Sequence, residues 1–199
     1  MKTFYTKSAV AAFAGAMVLA VSGCSSKEEQ APKPVVQGEC VIGGQEAPTW
    51  ACGTYEDKDA YTAVGSAPAS KLGAGFTRRE AVANARSSLA QQVETEVKDK
   101  VETFMRSTGV GSGETGDKVV TQVSKQTARV TMSGSKQVAY WENSSDGAVY
   151  VLVSVPKDQV NLSAKNAVTS SFKNDDALWQ QFQSQNALEA LDKEFPTNE

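Results

Sequence analysis

The chain has 199 residues, 20 of them basic and 23 acidic, giving a net charge of −3, and it contains no histidine. That length suits one domain of ordinary size with an appendage. The mildly acidic balance argues against a nucleic-acid partner, and the missing imidazole removes Ser-His-Asp and Cys-His catalysis together with His-ligated zinc and haem.

Lys2 and Lys7 give a positive start, and Ala9 to Val21 is an apolar run interrupted only by Gly15. This is shorter than the roughly 20 apolar residues that span a bilayer, and it has the length of the central region of an export signal. It closes on Leu19-Ala20-Val21-Ser22-Gly23-Cys24, which reads as a lipobox: cleavage before Cys24, with small Ser22 and Gly23 at the cut, and lipidation of the Cys24 thiol. Two or three acyl chains anchor a protein stably where one does not. Ser25 rather than Asp follows the cysteine, which by resemblance to sorted bacterial lipoproteins points to the outer membrane. Removing residues 1–23 from 199 leaves 176, with 18 basic against 23 acidic side chains and a net charge of −5. No later apolar run approaches spanning length, so the expected membrane partner is the bilayer, reached through acylated Cys24 alone.

Ser25 to Gln37 is polar and charged, with Pro32 and Pro34. It cannot bury enough apolar surface to fold, and is expected to be a flexible tether. Extended, it would reach roughly 40 Å. With Cys24 used by lipid, Cys40 and Cys52 remain as an even pair in an oxidising compartment, and a disulfide between them is expected. Two thiolates without further ligands make a poor metal site, and the spacing is far from Cys-x-x-Cys. Gly38 to Lys58 then reads as a compact irregular lobe closed by this bond. Trp50 and Tyr55 are either its small core, the preferred reading, or an exposed contact.

Tyr61, Ala63 and Gly65 alternate with Thr62, Val64 and Ser66, the period of a strand that Pro68 stops. Gly73 and Gly75 permit a tight turn; a phosphate-cradling loop lacks its third glycine and acidic partner. Thr77 with Glu80 has the pattern of a capping box. From there a helix to about Ser107 carries Ala81, Val82, Ala85, Leu89, Val93, Val97, Val101 and Phe104 on one stripe. Its polar face offers Glu94–Lys98 and Glu96–Lys100 pairs. After the glycine-rich break Ser107–Gly116, a second helix is expected from Asp117 to about Val130, with Val119, Val120, Val123, Thr127 and Val130 on one side; its end could instead be strand.

Ser135–Glu142 and Ala148–Val155 flank the turn residues Asn143 to Gly147, a β-hairpin signal. In its second strand Val149, Val151, Val153 and Val155 line one face, and Tyr150 and Leu152 the other. Apolar on both faces, this strand is expected to be central and covered on both sides: by the long helix on one, and by C-terminal helices or a second subunit on the other. Pro156 opens a further helix with Val160, Ala164, Val168 and Phe172 four apart. Leu178, Phe182, Leu188, Leu191 and Phe195 mark a final helix ended by Pro196. Trp179 serves either core packing or an exposed docking patch.

From Tyr61 to about Val160 the layout resembles the LPP-twenty-like lipoprotein family. The shared features are Val64-Gly65 in the first strand, the Gly73/Gly75 turn, Ala81, Ala85-Arg86 and Leu89-Ala90 in the helix, Trp141 before the hairpin turn, Tyr150-Val151-Leu152-Val153 after it, and the lipobox at Cys24. The Cys40/Cys52 lobe and the C-terminal extension depart from it. The resemblance implies an outer-membrane lipoprotein, some relatives being associated with the flagellar disk or motility, and it carries over no catalytic residue.

The expected fold is α+β: a small, mostly antiparallel three-stranded sheet packed by one long amphipathic helix and further C-terminal helices. The expected segments are a signal peptide (1–23), a lipidated tether (24–37), the stapled lobe (38–58), the α+β domain (59–160) and a helical extension (161–199). The expected function is a non-enzymatic structural or assembly role in the cell envelope, with protein partners or self-association and no cofactor or metal. The alternative is a periplasmic ligand- or peptidoglycan-binding module using Trp50, Tyr55 and Trp141.

Overall fold

A computed structural model describes residues 40–111, 113–184 and 186–197. The signal segment, Cys24 and the tether to Gln37 lie outside the described residues. Chain order is β1 (Cys40–Ile42), β2 (Gln45–Ala47), a 3₁₀ turn (Thr49–Cys52), β3 (Ala60–Ala67), α1 (Ala74–Thr108), α2 (Glu114–Gly134), β4 (Lys136–Glu142), β5 (Val149–Pro156), α3 (Lys157–Lys173), α4 (Asp176–Ser184) and α5 (Ala187–Glu194). The fold is α+β, as expected.

The sheet follows from β5. It is central in the order β3-β5-β4, antiparallel to both neighbours. Its four valines are buried on the helix side, beneath the α1 stripe Ala81, Ala85, Leu89, Val93, Val97, Val101 and Phe104, all of which is buried. Gly65 of β3 lies directly under α1: a Cβ there would collide with the backbone at Ala81 and Ala85. Glycine and two alanines therefore let the helix axis approach the strand more closely than branched side chains would allow.

At about 1.5 Å per residue, α1 is far longer than the eight-residue strands it crosses. Its C-terminal half needs a second partner and finds it in α2, α3, α4 and α5. There Phe104 meets Phe172 and Phe182 at ring separations of 6.2 and 6.3 Å, and Trp179 stacks on Phe182 at 5.3 Å. Gly109, in the left-handed region at φ 70°, ends α1, as C-terminal glycines do.

Several local expectations are corrected. Helix α1 begins at Ala74, three residues before Thr77, so Thr77 is no cap and the capping box with Glu80 does not form. Thr77 faces the core, and its hydroxyl accepts the Ser70 N–H at 3.1 Å, tying down the preceding loop. Helix α2 runs through to Gly134 with no strand at its end; Thr127, Ala128 and Thr131 are buried while Val130 is exposed. Lys98 pairs with Glu102 at 3.8 Å rather than with Glu94, and Glu96–Lys100 forms at 3.5 Å. The final helix is two, α4 and α5, and Asn186 between them takes φ 50°. Ala187, not Leu188, turns inward as a result. A bulge between Gln137 and Ala139 leaves Val138 without a partner in β5, while exposure still alternates along β4.

The C-terminal helices do not cover the second face of the sheet. They share the helix-side core, and the Cys40–Cys52 lobe packs on the other face instead, against Trp141 and Tyr150.

Candidate functional site: the disulfide lobe and the sheet face it caps

Residues 40–52 are too few to close a core of their own. Their answer is threefold. A hairpin forms first, β1 pairing with β2 around Gly43 and Gly44 at φ 60° and 78°, the positive angles that tight hairpin turns require. The 3₁₀ turn then brings Cys52 back to Cys40, and the disulfide closes with Cα atoms 5.9 Å apart. Finally, the small core of Cys40, Ala47 and Ala51 borrows apolar surface from the sheet: Ile42 and Trp50 on the lobe, Trp141 and Tyr150 beneath it. The last two rings lie 5.3 Å apart at 51°, a geometry aromatic pairs favour. The lobe is thus an ordered hairpin, not the irregular loop expected.

Hydrogen bonds join the lobe to the β4–β5 turn. Asn143, fully buried, donates from Nδ2 to the Ile42 carbonyl at 3.2 Å. Its Oδ1 accepts the Ser145 N–H and hydroxyl at 2.9 and 2.6 Å. Gln45 Oε1 accepts the Ser144 N–H and hydroxyl at 2.8 and 3.1 Å. A Cβ at Gly43 would stand 2.7 Å from Asn143 Nδ2, so this glycine serves the docking as well as the turn.

On the helix side, Arg78 reaches over the edge strand. It donates to Gln137 Oε1 from Nε and Nη2 at 3.2 and 3.0 Å, with its guanidinium 5.3 Å from the Tyr140 ring. Tyr140 donates to Glu142 at 2.7 Å, and this bond foremost raises its pKa. Below the lobe a polar recess of about 340 Å³ is lined by Tyr55, Asp57, Tyr61, Thr62, Gln92 and Lys157. The Lys157 ammonium is held there by the Lys58 carbonyl at 2.8 Å. Tyr61 has its hydroxyl pushed up to about 12, by burial first and by Glu96 second.

The residues singled out in the sequence divide as follows. Cys40 and Cys52 are joined. Trp50 and Trp141 come together at the lobe junction, half-buried, whereas Tyr55 is exposed and not part of the lobe core. Trp179 packs beside Phe182 with Lys173 Nζ 5.1 Å from its ring. Cys24 lies outside the described residues. Among the described residues no group of three or more Cys, Asp or Glu is placed to hold a metal ion, and no helix is long and apolar enough to cross a membrane. Asn143, Gln45 and Tyr150 were missed as lobe contacts. The Asn-Ser-Ser-Asp-Gly run announces a turn, but nothing local says that a hairpin a hundred residues earlier docks on it.

Residues 48–156, just over half of the chain, match the LPP20 lipoprotein family, and the chain belongs to it. It is therefore a lipoprotein of the cell envelope. The matched region opens inside the lobe, so Trp50 and Cys52 fall within it and Cys40 outside; it ends where β5 ends. The chain has no match among curated proteins.

Proposed function

We propose that the protein is a non-enzymatic lipoprotein held in the outer membrane by acylated Cys24, its body facing the periplasm in a structural or assembly role. Association with the flagellum or motility is the narrower form of this reading. Its main support is the coincidence of family membership with the lipobox. A second support is mechanical. Any load carried from Cys24 along the chain arrives at Cys40, the first described residue, which is covalently closed to Cys52 and lies in a hairpin bonded to the β4–β5 turn. A strand strapped in this way resists peeling better than a free strand end does. The ligand-binding alternative has less to stand on, because Trp50 and Trp141 are half-buried against the lobe core of Cys40, Ala47 and Ala51.

Substituting Cys24→Ala tests the anchor. Wild-type protein should take up labelled palmitate and sediment with outer-membrane fractions, and the variant should do neither. Palmitate labelling that survives the substitution would defeat the reading. For the assembly role, light scattering of the delipidated protein should show concentration-dependent oligomers; a monomer at every concentration would remove self-association. A deletion strain that swarms normally would remove the motility branch.

A further inference from the structure

Strand β3 forms one open edge of the sheet, and its register shows which backbone groups face outward. It pairs with β5 residue for residue, from Ala60 opposite Pro156 to Ala67 opposite Val149. One step beyond, the Lys157 N–H donates to the Asp59 carbonyl at 2.9 Å. Antiparallel ladders alternate bonded and non-bonded pairs, so Tyr61, Ala63, Gly65 and Ala67 turn their backbone groups to β5. Thr62, Val64 and Ser66 turn theirs to the free edge. The phase is the same at Ser66, whose carbonyl accepts Asn84 Nδ2 at 2.9 Å. Among the described residues, the outward N–H and C=O groups of Thr62 and Val64 meet no partner. A row of such groups is a template for another extended strand.

The two edges of the sheet differ. Strand β4 is interrupted by the bulge at Val138, carries Lys136 and Glu142 at its ends, and is crossed by Arg78. Its Ala139 carbonyl is taken by Gln137 Nε2 at 3.3 Å. These are the devices that keep an edge from pairing. Strand β3 has an unbroken register, no proline and no charge in its eight residues. Alongside it α1 presents Asn84, Ser88 and Gln92, four apart, exposed and uncharged. Asn84 reaches Ser66 at one end of this row, and Gln92 shares a recess with Thr62 at the other.

We propose that β3 pairs antiparallel with β3 of a second copy of this chain, about a two-fold axis at Val64. The sheet then runs β4-β5-β3-β3-β5-β4. Val64 meets its counterpart, and Thr62 of each copy meets Ser66 of the other. In a chain of net charge −3 this seam sets no like charges opposite one another. Glu56, which lines the recess beside Thr62, turns towards the end of the second copy that carries Lys71. The blunted β4 edges close the assembly at two copies. The inference deepens the assembly reading and rests on self-association.

The test uses the full-length chain with Val64→Cys; Cys40 and Cys52 are already joined to each other. Under mild oxidation the variant should cross-link into a species of twice the chain mass, and neither wild type nor Val138→Cys on the other edge should do so. Adding Thr62→Lys and Ser66→Lys sets like charges opposite and should cut the yield roughly tenfold. Thr62→Lys with Ser66→Glu sets opposite charges together and should restore it. Equal loss in the two combinations overturns the inference. Oligomers seen by light scattering without cross-linking at position 64 overturn it while self-association stands. A monomer at every concentration sinks both. Cross-linking in cells to a chain of another mass overturns it in favour of a strand from a different protein. If Val64→Cys fails to fold by circular dichroism, Thr62→Cys mixed with Ser66→Cys reads the same register, and only the mixture should cross-link.

Discussion

Gly65 shows how much of the packing rests on a missing side chain. A methyl group there meets the α1 backbone, not a movable side-chain tip. Gly65→Ala must push helix from strand, and overpacking of this kind costs about 1–3 kcal/mol, to be read as a lowered urea midpoint. Asn143 is a different case. Its amide is buried and answers both the lobe and its own turn. Asn143→Ala would orphan the Ile42 carbonyl and the Ser145 N–H, a loss of roughly 1–3 kcal/mol, and amide exchange should rise first in residues 40–47. Tyr61 gives a pH signature. Its pKa, raised from 10.0 to about 12, means the folded state holds the proton more tightly than the unfolded chain. The associated stability is fully present below pH 10 and is lost as pH climbs towards 12, on the order of 2–3 kcal/mol in all. Tyr61→Phe should remove that alkaline loss from denaturation curves taken between those pH values. A wild-type curve no steeper than the variant's would contradict the burial of this hydroxyl.

Among the elements, the lobe and α1 differ in what holds them. Helix α1 owes its form to its own period: apolar residues four apart, charged pairs outward, a glycine at its end. The surface pairs Lys98–Glu102 and Lys100–Glu96 add only about 0.3–0.5 kcal/mol each, so the buried stripe carries the helix. The lobe has no such surplus. Its disulfide closes a short loop, worth about 3 kcal/mol by loop entropy, and the rest comes from surface belonging to the sheet. The double substitution Cys40→Ser and Cys52→Ser should leave helix content unchanged by far-ultraviolet circular dichroism while freeing the lobe. Tryptophan emission would shift to the red as Trp50 and Trp141 meet water. An unshifted spectrum would mean the hydrogen bonds to Asn143 and Gln45 suffice without the bond.

For the whole molecule, the sheet is a divider with different partners on its two sides. Among the described residues, five helices share one continuous core on the valine side of β5, and the lobe caps part of the other face. The β3–α1 loop and the tip of the β1–β2 hairpin both meet the β4–β5 turn, and the aromatic cluster of Phe104, Phe172 and Phe182 lies beside the C-terminal half of α1.

By itself the sequence determined what is local or periodic. The α1 stripe, the β4–β5 hairpin with β5 central, the four-residue ladder of α3 and the pairing of Cys40 with Cys52 are all readable from spacing and residue type. Side-chain period and turn chemistry act over a few residues, which is the range a single sequence shows. Only the tertiary structure decided that the lobe, not the C-terminal helices, covers the Tyr150 face, that Thr77 turns inward instead of capping α1, and that Val130 and Leu188 point outward. Each of these turns on which surface arrives from far along the chain. An apolar face is legible as needing cover, but its cover is chosen by competition among all the faces the folded chain brings within reach. Here the C-terminal helices pack on the overhanging half of α1, and the lobe caps the sheet.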